Sequence, residues 1–342
     1  MTTTIEDTSV IFRQFRGESD YAPMTELTNA MHTTYGIEEV LSVEETANSY
    51  EHLDADVDLN RDMLLAEADG QLIGFTRVES NVRADGDRVF WQEMVLRPAW
   101  QARLEPALLQ FNERRACEIA IEKPMDTPHY LSLWRPDAAK HSVALLMAIG
   151  YSAERFYFEM LRDLMCELPN AHLPDGIEVR PFEPIEASFR AVYVATREAF
   201  RDHYGYRPWT EDDYRRWRNE PTHDTSLWRI AWDVAANEIA GVAINTIFHA
   251  DNETYGFARG WVENLGVRRP WRGRGLAKAL LMHTFVALRE RGMTEATLGV
   301  DAQNPTGALQ LYESVGFEVY KRNTVYRKRF EIEEPRLMTH DS

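Results

Sequence analysis

Residues 268–281, RRPWRGRGLAKALL, bring Arg268, Arg269, Arg272, Arg274 and Lys278 into one short stretch of a 342-residue chain whose formal net charge is −17. A strand that ends in a glycine turn and opens directly into a helix aims unpaired backbone N–H groups and the positive end of the helix dipole at one point, the setting for a phosphate or pyrophosphate. Gly273 and Gly275 let the main chain approach an anion without a Cβ, and the arginines add forked donors. The turn is not a Walker loop, because no Gly-Lys-Ser/Thr ending follows. Nor is it a dinucleotide fingerprint, which needs a third glycine and a later acidic position.

The elements around it position that turn. Strands are expected at about 227–233, 239–248 and 258–267, then a helix over 274–291, a strand over 294–301, a helix over 305–315 and two closing strands. Ahead of them, 177–182 reads as a strand, 185–202 as a helix and 210–220 as a second helix capped by Thr210. Ala277, Leu281, Thr284 and Leu288 share one face of the helix after the turn, and Gly292 ends it.

The first half spells the same order: strand 9–15, helices 21–33 and 43–52, strands 62–68, 71–79 and 88–97, helix 104–120, strand 128–134, helix 138–148, strand 151–161. WQEMVLRP (91–98) stands opposite WVENLGVRRP (261–270), and LLMAIGYSAERF (145–156) opposite LYESVGFEVYKR (311–322). The chain reads as a tandem duplication. Pro169, Pro174 and Gly176 mark the break, which gives domains 1–170 and 171–332 and an unpatterned tail at 333–342.

RGRGLA (272–277) and NPTGALQLYESVGF (304–317) together resemble the pyrophosphate loop and the later Asn…Ala…Tyr…Gly-Phe segment of the GNAT acyltransferase superfamily, over about residues 176–330. The implied fold is α/β: two tandem GNAT-like domains, each a mixed, mostly antiparallel sheet with a splayed parallel strand pair and flanking helices. The implied co-substrate is acetyl-CoA, with no metal. Leu265, Gly266 and Val267 would run along the pantetheine arm, Arg272, Gly273, Arg274, Gly275, Leu276 and Ala277 would hold the pyrophosphate, and Asn304 would touch the CoA arm while capping its own helix.

The implied reaction is acyl transfer to an amine. An aliphatic amine of pKa about 10 is protonated at neutral pH, so a base must act; Glu263, on the strand that lines the acyl group, is the candidate, with a salt-bridged strand Glu as the alternative. The N–H of Leu265 or Gly266 would meet the developing negative oxygen. Tyr312 stands in the family's position for protonating the thiolate, or else packs its helix on the sheet.

Acceptor choice in such proteins rests on the loop between the two early helices, here 200–217. His203, Tyr204, Tyr206 and Trp209 could wall a pocket, and Asp202 or Asp212 could receive a cation. Opposite the glycine turn the first half has WQARLEPALL (100–109), without glycine and with Glu105 and Pro106 entering the turn; Leu146 replaces Tyr312. That copy is expected to support the fold or the acceptor cleft without productive CoA binding, an architecture similar to mycothiol synthase-like tandem acetyltransferases.

Composition narrows the alternatives. Residues 1–170 carry 15 basic and 30 acidic residues, and 171–342 carry 23 and 25, so the field disfavours nucleic acid and favours amine-bearing partners. No apolar run of about 18 residues is present, and the N-terminus lacks a signal-peptide layout, so no membrane partner and a cytoplasmic location are expected. Cys117 and Cys166 read as buried small hydrophobes. The expected acceptor is a small, cationic amine, and the expected assembly a monomer or homodimer. An acyl-CoA-binding sensor or a protein-amine acetyltransferase are the alternatives.

Overall fold

A computed structural model describes residues 10–168, 170–304 and 306–331. Strand β1 (Ile11–Arg13) is followed by helices α1 (Tyr21–Tyr35), α2 (Val43–Glu51) and the single turn α3 (Leu59–Asp62), then β2 (Met63–Ala68), β3 (Gln71–Val82), β4 (Arg88–Leu96), α4 (Gln101–Glu122), β5 (His129–Pro136), α5 (Lys140–Ala148) and β6 (Ser152–Asp163). The second half continues with β7 (Ile177–Arg180), α6 (Glu186–Ala199), α7 (Glu211–Arg218), β8 (Arg229–Asp233), β9 (Glu238–Thr246), α8 (His249–Tyr255), β10 (Arg259–Val267), α9 (Leu276–Glu290), β11 (Glu295–Asp301), α10 (Ala308–Ser314) and β12 (Glu318–Phe330).

Instead of one sheet per half, the strands form a single twelve-stranded sheet in the order β1-β2-β3-β4-β5-β12-β6-β11-β10-β9-β8-β7. The halves exchange their last strands. β12 pairs with β5 over Asn323↔Pro136 to Phe330↔His129, and β6 pairs with β11 over Asp163↔Glu295 to Tyr157↔Asp301. Only two neighbouring pairs among the described strands are parallel, β4 with β5 and β10 with β11. The expected boundary falls between β6 and β7, and the tail at 333–342 lies outside the described residues.

Local chemistry explains most element ends. Ser42 with Glu45 and Thr210 with Asp213 form capping boxes at α2 and α7. Residues Leu281, Phe285 and Leu288 of α9 are buried against Met160, Val262 and Leu298, which fastens this helix under β10 and β11. Three expectations are corrected. One long strand, β12, replaces the two closing strands, because it continues through irregularities at Val319/Lys321 and Val325/Tyr326. Helix α8 was not foreseen between β9 and β10. The third concerns cysteine: Cys117 is half-buried and Cys166 exposed, its thiol turned to Asp163 (3.3 Å). No helix among the described residues is long and apolar enough to cross a membrane.

Candidate active site

β10 and β11 pair only over Arg259↔Glu295, Gly260↔Ala296 and Trp261↔Thr297. Beyond that point β10 stays bonded to β9 and β11 to β6, so the two strands part. A cavity of about 780 Å³ opens there, bordered by Leu265–Val267, Gly299–Asp301, the glycine turn, Asn304 and Tyr312. A Cβ on Gly299 would meet nothing within 4 Å, so this side of the gap is open.

Gly273 and Gly275 take φ of +75° and +80°, the left-handed region that a side chain would strain. No side chain caps α9, and the N–H groups of residues 273–278 find no protein acceptor among the described residues; Ala279 is the first to bond back, to Gly275 (3.1 Å). Six N–H groups are thus left without a protein acceptor among the described residues at the start of a fifteen-residue helix. The arginine side chains brace the loop. Arg272 is turned back onto the carbonyls of Val267 (3.0 Å) and Ala199 (2.8 Å) and onto Asp202 (3.0 Å), and Arg274 onto the carbonyl of Asp175 (3.1 Å). Arg268 pairs with Glu198 (2.7 Å) and Glu238 (3.0 Å), and Arg269 with Asp202. Lys278 borders the cavity, as Arg272 does, and has no ion-pair partner among the described residues.

Glu263 lies on the cavity wall at a β-bulge. Val262 pairs with Asn245 and Asn264 with Ile244, so Glu263 is the extra residue, the kind of insertion that re-aims a side chain. Burial raises its pKa to about 7; the neighbouring Thr246 hydroxyl pulls it down, and the charge of Glu220 adds to the rise. Tyr312, 8% exposed, stands with its ring edge-on to Phe317 (5.9 Å), and burial pushes its phenol up to about 12. Asn304 does not cap α10. Gly307 does, while the Asn304 side chain accepts from the N–H (2.8 Å) and hydroxyl (2.7 Å) of Thr306; Pro305, expected at the first helical position, lies outside the described residues.

Of the expected acceptor residues, His203, Tyr204 and Tyr206 border the cavity. The others do not. Trp209 packs edge-on against Tyr193 (5.4 Å), and Asp212 pairs with Arg215 (2.7 Å). Asp202 is held down to about 2 by hydrogen bonds from Arg269 and Arg272, so neither aspartate is left to receive a cation. Sequence reasoning missed Arg197, Arg207, Asp213 and Arg216, all on the cavity wall, because nothing in their spacing separates them from solvated helix charges. It also missed the grip of the first half on this loop. Tyr204 lies between the guanidinium groups of Arg83 (3.9 Å) and Arg155 (4.0 Å), its hydroxyl bonds Glu154 (3.2 Å), and the N–H of Ala84 donates to the carbonyl of Tyr206 (3.0 Å).

The corresponding cleft of the first half has a cavity of about 510 Å³. Here α4 begins at Gln101 directly after a 3₁₀ turn, so Glu105 and Pro106 sit inside a helix and not in a turn as expected. Glu105 is 1% exposed, bonded by Ser142 and 3.7 Å from Arg135.

The family model described as "Acetyltransferase (GNAT) family" matches residues 190–317. The chain is 30% identical over 263 residues to the mycothiol acetyltransferase of Salinispora arenicola, covering 76% of this chain and 79% of that protein. To the mycothiol acetyltransferase of Thermobispora bispora it is 33% identical over 199 residues, 57% of this chain and 65% of that one. Among solved structures it superposes on a GCN5-related N-acetyltransferase from Sphaerobacter thermophilus with a TM-score of 0.67 and 27% identity, covering 95% and 97% of the two chains. A tandem GNAT protein from the clavulanic acid biosynthesis pathway shares the fold, with a TM-score of 0.64 at 15% identity over 95% of this chain and 100% of that one. The chain belongs to the GNAT acetyltransferase family. It is an acyl-CoA-dependent N-acetyltransferase of tandem-domain architecture.

Proposed function

We propose that the second half transfers an acetyl group from acetyl-CoA to the primary amine of a small molecule, by direct attack with both substrates bound. The observation that carries this is one continuous cavity, running from the free N–H groups of 273–278 along the parted strands to Glu263. Relatives named for mycothiol favour a small-molecule acceptor over a protein.

The residues fit acetyl-CoA: the turn and Lys278 would hold the pyrophosphate, and the facing edges of β10 and β11 the pantetheine. The thioester supplies an acyl carbon open to attack. Glu263, near half ionised at neutral pH, takes a proton from the acceptor ammonium directly or through water. Leu265 and Gly266 lie where the bulged strand leaves its parallel partner, and the N–H of whichever of the two faces the gap rather than β9 would donate to the carbonyl oxygen as charge builds there. Tyr312 stays protonated at neutral pH and gives its proton to the departing sulfur, whose thiol has a pKa of about 8.5. A C–N bond forms and the C–S bond breaks; the second proton shed by the nitrogen returns through water to the Tyr312 phenolate, and the products are an amide, the CoA thiol and protonated Glu263, which releases its proton to solvent.

Titration calorimetry with acetyl-CoA, followed by thiol release across an amine panel, tests the reading. Binding with release is the expected result. Failure to bind acetyl-CoA overturns the site, and tight binding without release from any amine favours a sensor.

A further inference from the structure

Beyond Glu263 the cavity wall carries three guanidinium groups, on Arg197, Arg207 and Arg216. Arg207 forks onto both oxygens of Asp213 (2.7 and 2.9 Å) and reaches Asp54 (3.2 Å). Arg197 gives one nitrogen to the carbonyl of Arg207 (2.9 Å) and lies over the Tyr206 ring (5.2 Å). Arg216 is differently placed. Among the described residues its guanidinium has one acceptor, Asp213 (3.0 Å), already shared with Arg207; its side chain is 36% exposed and borders both cavities.

Three guanidiniums against two aspartates, Asp213 and Asp54, leave positive charge uncompensated at the acceptor end. The other acids on this wall do not cancel it: Glu263 is needed as the base, and Asp301 is paired with Arg155 (3.3 Å). A guanidinium with a free edge in a cavity favours an anion that presents two oxygens to its fork, and of the anions that do so the carboxylate is the one an amino acid carries beside its primary amine. Resting on the acyl-transfer reading above, we infer that the acceptor is an amino acid or amino-acid conjugate, its amine directed to Glu263 and its carboxylate held by Arg216. This differs from the expectation of a small, cationic amine, whose candidate receiving residues, Asp202 and Asp212, are paired with arginines.

The test is acetyl-CoA-dependent thiol release from L-amino acids, their α-amides, tyramine and putrescine. At least one amino acid should exceed its own amide by about tenfold or more in kcat/KM, since a site built to bind a polar group rejects the analogue lacking it. In Arg216→Gln that ratio should fall toward one, chiefly through KM. Arg215→Gln, on the neighbouring exposed residue outside both cavities, should keep it. Amides or putrescine matching the acids in the wild type, or a ratio that survives Arg216→Gln, would overturn the inference; the wild-type comparison decides even where the variant fails to fold. No release from any amine, with acetyl-CoA still bound, would instead overturn the acyl-transfer reading itself.

Discussion

Gly74 in β3 and Gly241 in β9 are counterparts, packed against Leu108 and Leu280 respectively. Counted from them, β4 and β10 match residue for residue except at one place. Leu96 pairs with Gly74 as Val267 does with Gly241, and Glu93 pairs with Arg77 as Asn264 does with Ile244, while Gln92 and Val262 again coincide. Glu263 has no counterpart. The Trp-x-Glu words that suggest duplication therefore hide a difference: Glu93 is a ladder residue bound by Tyr50 (2.9 Å) and Arg77 (3.1 Å), and Glu263 is the inserted residue of a bulge with no ion-pair partner among the described residues. The same contrast recurs around the cleft. Gly299 stands where the other half has Trp134, Tyr312 where it has Leu146, and an uncapped glycine turn where it has the buried Glu105. One architecture thus carries or omits the candidate chemistry through a handful of positions, and the fold alone does not say which half holds it.

The largest effect should come from putting a carboxylate into the glycine turn of the second half. Gly275→Glu places a carboxylate at the N–H cluster and a Cβ at φ +80°, and should weaken acetyl-CoA binding by about a hundredfold or more in titration calorimetry. Next is Glu263→Gln, expected to lower kcat by about a hundredfold with CoA affinity retained. Wild-type kcat/KM should rise with pH through about 7, as the carboxyl ionises, and the variant should lose that limb. Stability carries the opposite sign. The folded pKa of about 7 exceeds the ordinary 4.5, so the native chain binds more protons in that window and the melting temperature falls as pH rises through it, a slope that Glu263→Gln removes.

Tyr312→Phe should lower kcat by about tenfold while leaving acetyl-CoA affinity intact; an unchanged kcat would reduce Tyr312 to the packing role of its counterpart Leu146. The smallest effect belongs to Glu93→Gln. It should leave kcat within about twofold and lower thermal stability instead, because Glu93 bonds Tyr50 and Arg77 at a distance from the reacting groups. A large loss of kcat would mean that the two glutamates are functional equivalents after all.

Element order was legible because strand alternation and helix stripes are local: β3, α2, β10 and β11 lie within a few residues of expectation. The glycine turn was legible for the same reason, since positive φ and a helix start are properties of neighbouring residues. Partners distant in sequence were not. Asp202 looks like an open carboxylate until Arg269 and Arg272 fold onto it, and the clamp of Arg83 and Arg155 on Tyr204 joins residues more than a hundred positions from it or nearly fifty. The bulge at Glu263 was invisible as well, because one inserted residue preserves the spelling of a strand while changing its pairing. Strand exchange escaped for a simpler reason: alternation along a strand does not say which neighbour it pairs with.

That exchange also governs the timetable of synthesis. The slot beside β5 is filled by residues 318–330, so the first half leaves the ribosome as an unfinished sheet with one bare edge, and β6 must wait for β11. Bare edges attract foreign strands, and long-range pairings form slowly. Neither half can mature ahead of the other: the protein should acquire protease resistance in one late step, when β12 slides between β5 and β6 and closes both halves at once.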